Sequence, residues 1–221
     1  MSGVRLPRWA DGGAEVRRHE QRPRLGSAFK LGQPDPRVGA ALRCASALRW
    51  LSGFLLFYGA FVVQEHSIGG LPKAVALSAL AVGLGAGNFA GTIIGARTAS
   101  VPPTRLNVAL LTITAATTLF TALDFGLLTV FAVAVVSSAT AAVSKLGLDA
   151  TIQQRVDESV RTSTFARSET TLQLAWVVGG AIGITLPTDE IIGFLVATSA
   201  LVLAMLTASG GRRGAPAPRP T

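Results

Sequence analysis

Charged positions divide this chain into long apolar stretches. No Asp, Glu, Lys or Arg occurs in residues 50–64, 74–96, 106–123, 125–144, 170–188 or 191–211. Five of these six runs hold 18 residues or more, the length an α-helix needs to cross about 30 Å of hydrocarbon at about 1.5 Å per residue. The first run, of 15 residues, reaches spanning length when it begins near Cys44 and Arg49 extends its side chain back to the headgroups. The pattern predicts an all-α membrane protein with six transmembrane helices, at about 44–63, 73–95, 106–123, 125–145, 169–187 and 190–209.

The intervals between these runs add topology. The turns at 123–125 and 187–190 are short and carry Asp124, Pro187, Asp189 and Glu190 as turn and helix-start residues, so spans 3/4 and 5/6 are expected to form helical hairpins. The connection between spans 4 and 5 is long. Within it, "LDATIQQRVDESV" sets Leu148, Ile152, Val156 and Val160 at intervals of four among polar residues. This predicts a separate amphipathic helix, lying on the membrane surface or against the cytoplasmic helix ends.

Residues 1–39, rich in Arg, Gly and Pro without an apolar period, are expected to form a flexible basic cytoplasmic arm. They lack the apolar core of a signal peptide. Residues 40–210 form the six-span domain, and 211–221, "GRRGAPAPRPT", a disordered cytoplasmic tail.

The chain is 49% apolar and 14% charged, with a net charge of +8. Its basic residues are sharply divided. With six spans, one side of the membrane holds nineteen of the twenty Lys and Arg, and the other holds only Lys73. Cytoplasmic segments retain positive charge, so both termini are expected in the cytosol of a multi-pass protein of the cell (cytoplasmic) membrane. Topology and anionic lipid account for the charge without nucleic acid as a partner.

Enzyme chemistry finds no foothold in this pattern. Both histidines, His19 and His66, lie outside the spans, which removes the serine–histidine arrangement of intramembrane proteases. The carboxylates are expected only at helix ends or in loops, leaving no acid–base pair and no metal site. No phosphate-binding loop G-x-x-x-x-G-K-[ST] occurs. A single cysteine, Cys44, excludes disulfides within the chain. The expectation is a non-enzyme without cofactor.

The glycines carry a stronger signal. Gly83, Gly87, Gly91 and Gly95 recur every fourth residue in the second span, and Gly179, Gly180 and Gly183 cluster in the fifth. Small residues at this spacing let helix backbones approach closely in lipid, so all seven are assigned to helix packing. On this reading, Gly→Ala at Gly87 or Gly91 is expected to be nearly neutral and Gly→Leu disruptive. Polar and aromatic groups within the spans, Asn88, Gln173, Trp176, Tyr58 and Arg49, are the candidates to line a substrate cavity.

The order of elements resembles the carboxyl-terminal half of a major facilitator superfamily (MFS) transporter. That order is a polar linker, six spans, a Gly-rich second span ending in a basic loop, and a long amphipathic connection before a Gly-clustered fifth span. The stretch "LGLDATIQQRVDESVRTSTFARSETTLQLAWVVGGAIGI" (146–184) is similar to the region between the tenth and eleventh spans of bacterial members. The family's loop signature G-x-x-x-D-R-x-G-R-R survives in "GTIIGARTA" only as Gly91 and a displaced Arg97, with Gly95 in the Asp position.

The resemblance implies an MFS half-bundle that moves a small solute or drug, as in efflux, by alternating access. Its partners would be the lipid bilayer, the small-molecule solute, and either a second copy in a homodimer or a separate amino-terminal half. The alternative is a non-transporting integral membrane protein, a remnant or an accessory subunit.

Overall fold

The computed structural model describes residues 35–66, 68, 70–98 and 101–210. Of the arm expected over residues 1–39, residues 1–34 lie outside the described residues, as does the expected tail at 211–221, whereas 36–39 are not an arm but the start of a helix in which Val38 is buried. All regular structure among the described residues is helical: α1 (Pro36–Glu65), α2 (Lys73–Arg97), α3 (Pro103–Leu123), α4 (Leu127–Arg155), α5 (Glu158–Thr185) and α6 (Glu190–Gly210).

Local chemistry sets the boundaries. Asp35 accepts the Arg37 N–H at 2.8 Å ahead of Pro36, and Asp189 Oδ1 accepts from Ile191 and Ile192, both at 3.0 Å. Each carboxylate satisfies N–H groups that an opening helix leaves unpaired. The Thr129 hydroxyl accepts the Gly126 N–H at 2.9 Å and caps α4 in the same way. The loop before α2 turns at Gly70, whose φ of 73° favours glycine.

Four helices, α1 to α4, are long and apolar enough to cross a membrane. Large apolar side chains face outward: Phe89 is 70% exposed and Leu128 79%. Hydroxyls lie inside instead. Thr114, Thr118, Thr121, Ser137 and Thr140 are buried, and Thr114 and Thr140 join α3 to α4 through a 2.8 Å hydrogen bond. Oily outside and satisfied polar groups inside is the build of a membrane protein.

Helix α1 runs through the centre. Its Cys44, Leu48, Leu51, Phe54, Leu55, Tyr58 and Val62 form one buried stripe, closed by Leu110 and Leu111 of α3, Val133 of α4 and Phe194 and Leu201 of α6. The closest partnerships are α2 with α4 and α1 with α5, while α3 and α6 pack on each other behind them. The expected 5/6 hairpin does not form, since α5 and α6 are joined by a short turn but do not pack on each other. The glycine face of α5 is occupied by α1, and the turn is tied to the end of α1, where Tyr58 donates to the Asp189 carbonyl and Thr188 to Glu65.

Of the two placements expected for the amphipathic stretch, packing against the ends of other helices is the one found, but as part of α4 and not as a helix of its own. There is no separate surface helix: α4 continues through Arg155, and the break is confined to Val156 and Asp157 before α5 begins. Leu148 and Ile152 are buried against Val38, Ala41 and Ala45 of α1 and Leu172 of α5, whereas Val160, beyond the break, is 40% exposed. A second consequence follows for the carboxylates. Asp149 and Glu169, expected at helix ends or in loops, lie within α4 and α5, because both helices run past their apolar stretches.

Candidate functional site

Two glycine seams build the site. Along the α2/α4 seam, a Cβ on Gly83 would lie 2.9 Å from the Ala134 Cβ, and one on Gly91 2.7 Å from the Ala139 Cα. Gly87 sits directly on the Val135 carbonyl, and Gly95 on the Leu146 side chain and the Val143 backbone. Contact of backbone on backbone lets the Ser138 hydroxyl reach across to the Leu84 carbonyl at 2.6 Å.

The α1/α5 seam is reciprocal. Gly179 rests on the Trp50 carbonyl, Gly183 on the Phe54 carbonyl, and Gly180 on the Phe57 ring, while Gly53 of α1 rests in turn on the Trp176 carbonyl. Gly53 escaped the sequence reading because no second glycine stands three or four residues from it in its helix. Its contact depends on which α5 residue it meets.

Each seam makes a rigid helix pair, and the two pairs face each other across a groove of about 320 Å³. Helix α1 lines it with Ala45, Arg49, Ser52 and Leu56, and α2 with Leu84 and Asn88. On the α2 side α4 adds Ser138, Ala141, Ala142 and Lys145, and on the α1 side α5 adds Leu172 and Trp176. Every set follows helical spacing, so each helix presents one stripe to the groove.

Of the five cavity candidates, Arg49, Asn88 and Trp176 line the groove. The other two do not. Tyr58 is fully buried in the core, stacked on Phe54 at 4.8 Å and edge-on to Phe194 at 6.1 Å. It lies nine residues beyond Arg49, about half a turn out of phase around the helix. Gln173 is exposed outside the groove and donates to Glu169 Oε1 at 3.1 Å, one residue out of phase with Leu172 and Trp176. The motif remnant Arg97 is exposed in the last turn of α2, where a cation suits the carbonyl end of a helix.

Charge is concentrated at the α4/α5 side. Lys145 pairs with Asp149 and Glu169, each at 3.2 Å, and the second of these bonds ties α4 to α5. Farther along, Arg155 reaches Asp35 at 3.7 Å. Lys145, Ser52 and Ser138 were not among the cavity candidates read from the sequence. Lys145 stands at the edge of its apolar run, and only the continuation of α4 turns it toward Trp176 and Arg49.

The chain is similar to mycobacterial proteins of much greater length. It is 35% identical over 158 residues to an uncharacterized protein of Mycobacterium leprae (strain TN), covering 72% of this chain and 27% of that protein. It is 30% identical over 217 residues to an uncharacterized protein of Mycobacterium tuberculosis, in strains CDC 1551 / Oshkosh and H37Rv, covering 91% of this chain and 39% of the relative. The chain thus spans well under half the length of these relatives. No protein-family model and no solved structure matches it.

Proposed function

We propose that this chain is one six-span half of an MFS-like transporter of the cytoplasmic membrane, moving a small solute by alternating access together with a second half. The observation that carries the reading is the one-sided groove. Four helices, α1, α2, α4 and α5, present polar side chains to it, while α3 and α6 stand behind. Such a face suits a site closed by an opposing bundle, because polar groups left toward lipid are unsatisfied. The mycobacterial relatives carry further sequence in which a second bundle has room. A homodimeric copy, a separate amino-terminal half or further sequence of the same protein would each supply the opposing bundle.

Reconstitution tests the reading. A preparation shown by mass in detergent to be monomeric is expected to give no solute flux in proteoliposomes. Flux should appear only with a second half, and should be lost in Asn88→Leu. Flux from the monomer would overturn the requirement for an opposing wall. No flux from any assembled form would favour the non-transporting alternative, an accessory membrane protein. That second reading has one observation of its own: among the described residues, no carboxylate lines the groove to carry a coupling proton.

The same reading places both termini in the cytosol, supported by the division of basic residues. Topology reporters fused at Lys73, Asp124 and Thr188 are expected to register outside, and those at Arg105, Asp157 and Arg213 inside. A cytosolic signal at Asp124 would sink the six-span arrangement.

A further inference from the structure

We infer that the groove takes an organic anion, a carboxylate or phosphate oxyanion on an apolar body, with the oxyanion on Arg49 and the body against Trp176. This deepens the transporter reading and rests on it for the groove being a solute site.

Among the described residues, the charged ones lining the groove are Arg49 and Lys145, and no carboxylate lines it. The two cations are not equivalent. Lys145 is committed to Asp149 and Glu169 at 3.2 Å. Arg49 has no ion pair or hydrogen bond among the described residues and feels Glu169 only through space. A half-buried guanidinium in a membrane groove is costly without a counter-charge. Its planar fork of N–H donors matches the paired oxygens of a carboxylate or phosphate.

The remaining polar groups point the same way. The Ser52 and Ser138 hydroxyl protons are already donated to the Leu48 and Leu84 carbonyls, at 3.0 and 2.6 Å. The side-chain amide of Asn88 is exposed and enters no hydrogen bond among the described residues, so it offers a second donor. A cationic solute would meet the unpaired Arg49 charge, and a neutral one would leave Arg49 unmatched. Trp176 supplies an aromatic wall, and about 320 Å³ holds a two-ring acid.

The test uses the purified full chain and three probes of one shape: 2-naphthoate, neutral 2-naphthamide and 2-naphthylmethylammonium. Binding is read by calorimetry in phosphatidylcholine nanodiscs. Naphthoate is expected to bind about tenfold or more tightly than the amide, and the ammonium not at all. Arg49→Gln should weaken naphthoate about tenfold to a hundredfold while leaving the amide unchanged. Asn88→Asp, at an exposed position where folding is not at stake, should weaken naphthoate by a similar factor at an unchanged melting temperature.

A second arm adds phosphatidylglycerol to the nanodiscs. Thermal stabilisation by this lipid that disappears in Arg49→Gln, without naphthoate binding, would assign the oxyanion to a lipid headgroup. Naphthoate binding in pure phosphatidylcholine assigns it to a free solute. Equal affinity for naphthoate and naphthamide, or an Arg49→Gln variant unchanged toward both naphthoate and phosphatidylglycerol, would overturn the inference. Flux separates the two proposals: Arg49-dependent binding without flux from any assembled form removes the transporter and leaves the anion site. Flux of neutral solutes indifferent to Arg49 does the reverse.

Discussion

Gly87→Leu is expected to abolish recovery of folded protein, while Gly85→Leu, two residues away on the same helix, leaves yield and melting temperature at the parental level. A Cβ at 87 would lie 2.9 Å from the Val135 Cα and carbonyl carbon, and closer still to the oxygen, whereas one at 85 meets nothing within 4 Å. Backbone cannot rotate aside as a side-chain tip does, so the seam must open along its length and the contacts of Gly83 and Gly91 are lost with it. Gly87→Ala is expected to cost about 1–3 kcal/mol, the usual range for overpacking a filled contact. Gly85→Ala should be neutral or stabilising by less than about 1 kcal/mol, from helix propensity alone.

This corrects the expectation that alanine is nearly neutral along the glycine ladder. Spacing identifies a small-residue face, but the distance of closest approach belongs to the pair of helices. At Gly87, Gly91 and Gly179 that distance leaves no room even for a methyl group. Thermal unfolding in detergent, read as the monodisperse fraction after heating, checks all four variants. A Gly87→Ala protein as stable as Gly85→Ala would refute the backbone contact.

The second large effect is expected at Tyr58. Tyr58→Ala removes a fully buried ring that stacks on Phe54, meets Phe194 edge-on and covers Gly193. It also removes the hydroxyl bonded to the Asp189 carbonyl in the turn before α6. In a bilayer the transfer of the ring from water contributes little, but the cavity and the lost aromatic contacts remain. The expected cost is about 3 kcal/mol. Tyr58→Phe keeps the ring and should lose about 1 kcal/mol, the worth of one hydrogen bond.

Trp176→Ala, at the half-buried groove wall, should cost less than half as much stability as Tyr58→Ala and act mainly on ligand binding. Equal destabilisation by Tyr58→Ala and Trp176→Ala would contradict the separation of core from groove.

Much of this architecture is written in one dimension. Charge-free runs give the helices because hydrocarbon leaves the backbone of a spanning segment only the helix for satisfying its own N–H and C=O groups. The glycine spacing marks the two faces where backbones meet, and Asp189 caps the helix it precedes. The sequence by itself therefore determined an all-helical membrane protein and the identity of its packing faces, since each follows from interactions within a turn or two of the chain, whereas α1, α4 and α5 each extend well past the expected end of the apolar run.

Tertiary structure decided the rest. Whether Tyr58 or Arg49 faces the groove depends on how α1 is rotated against α5. Lys145 joins the site only because α4 continues past its apolar run, and α6 turns to α3 because α1 already occupies the glycine face of α5. These choices depend on distances between helices far apart in the chain, set by side-chain shape on both partners. No periodicity within one segment carries that information.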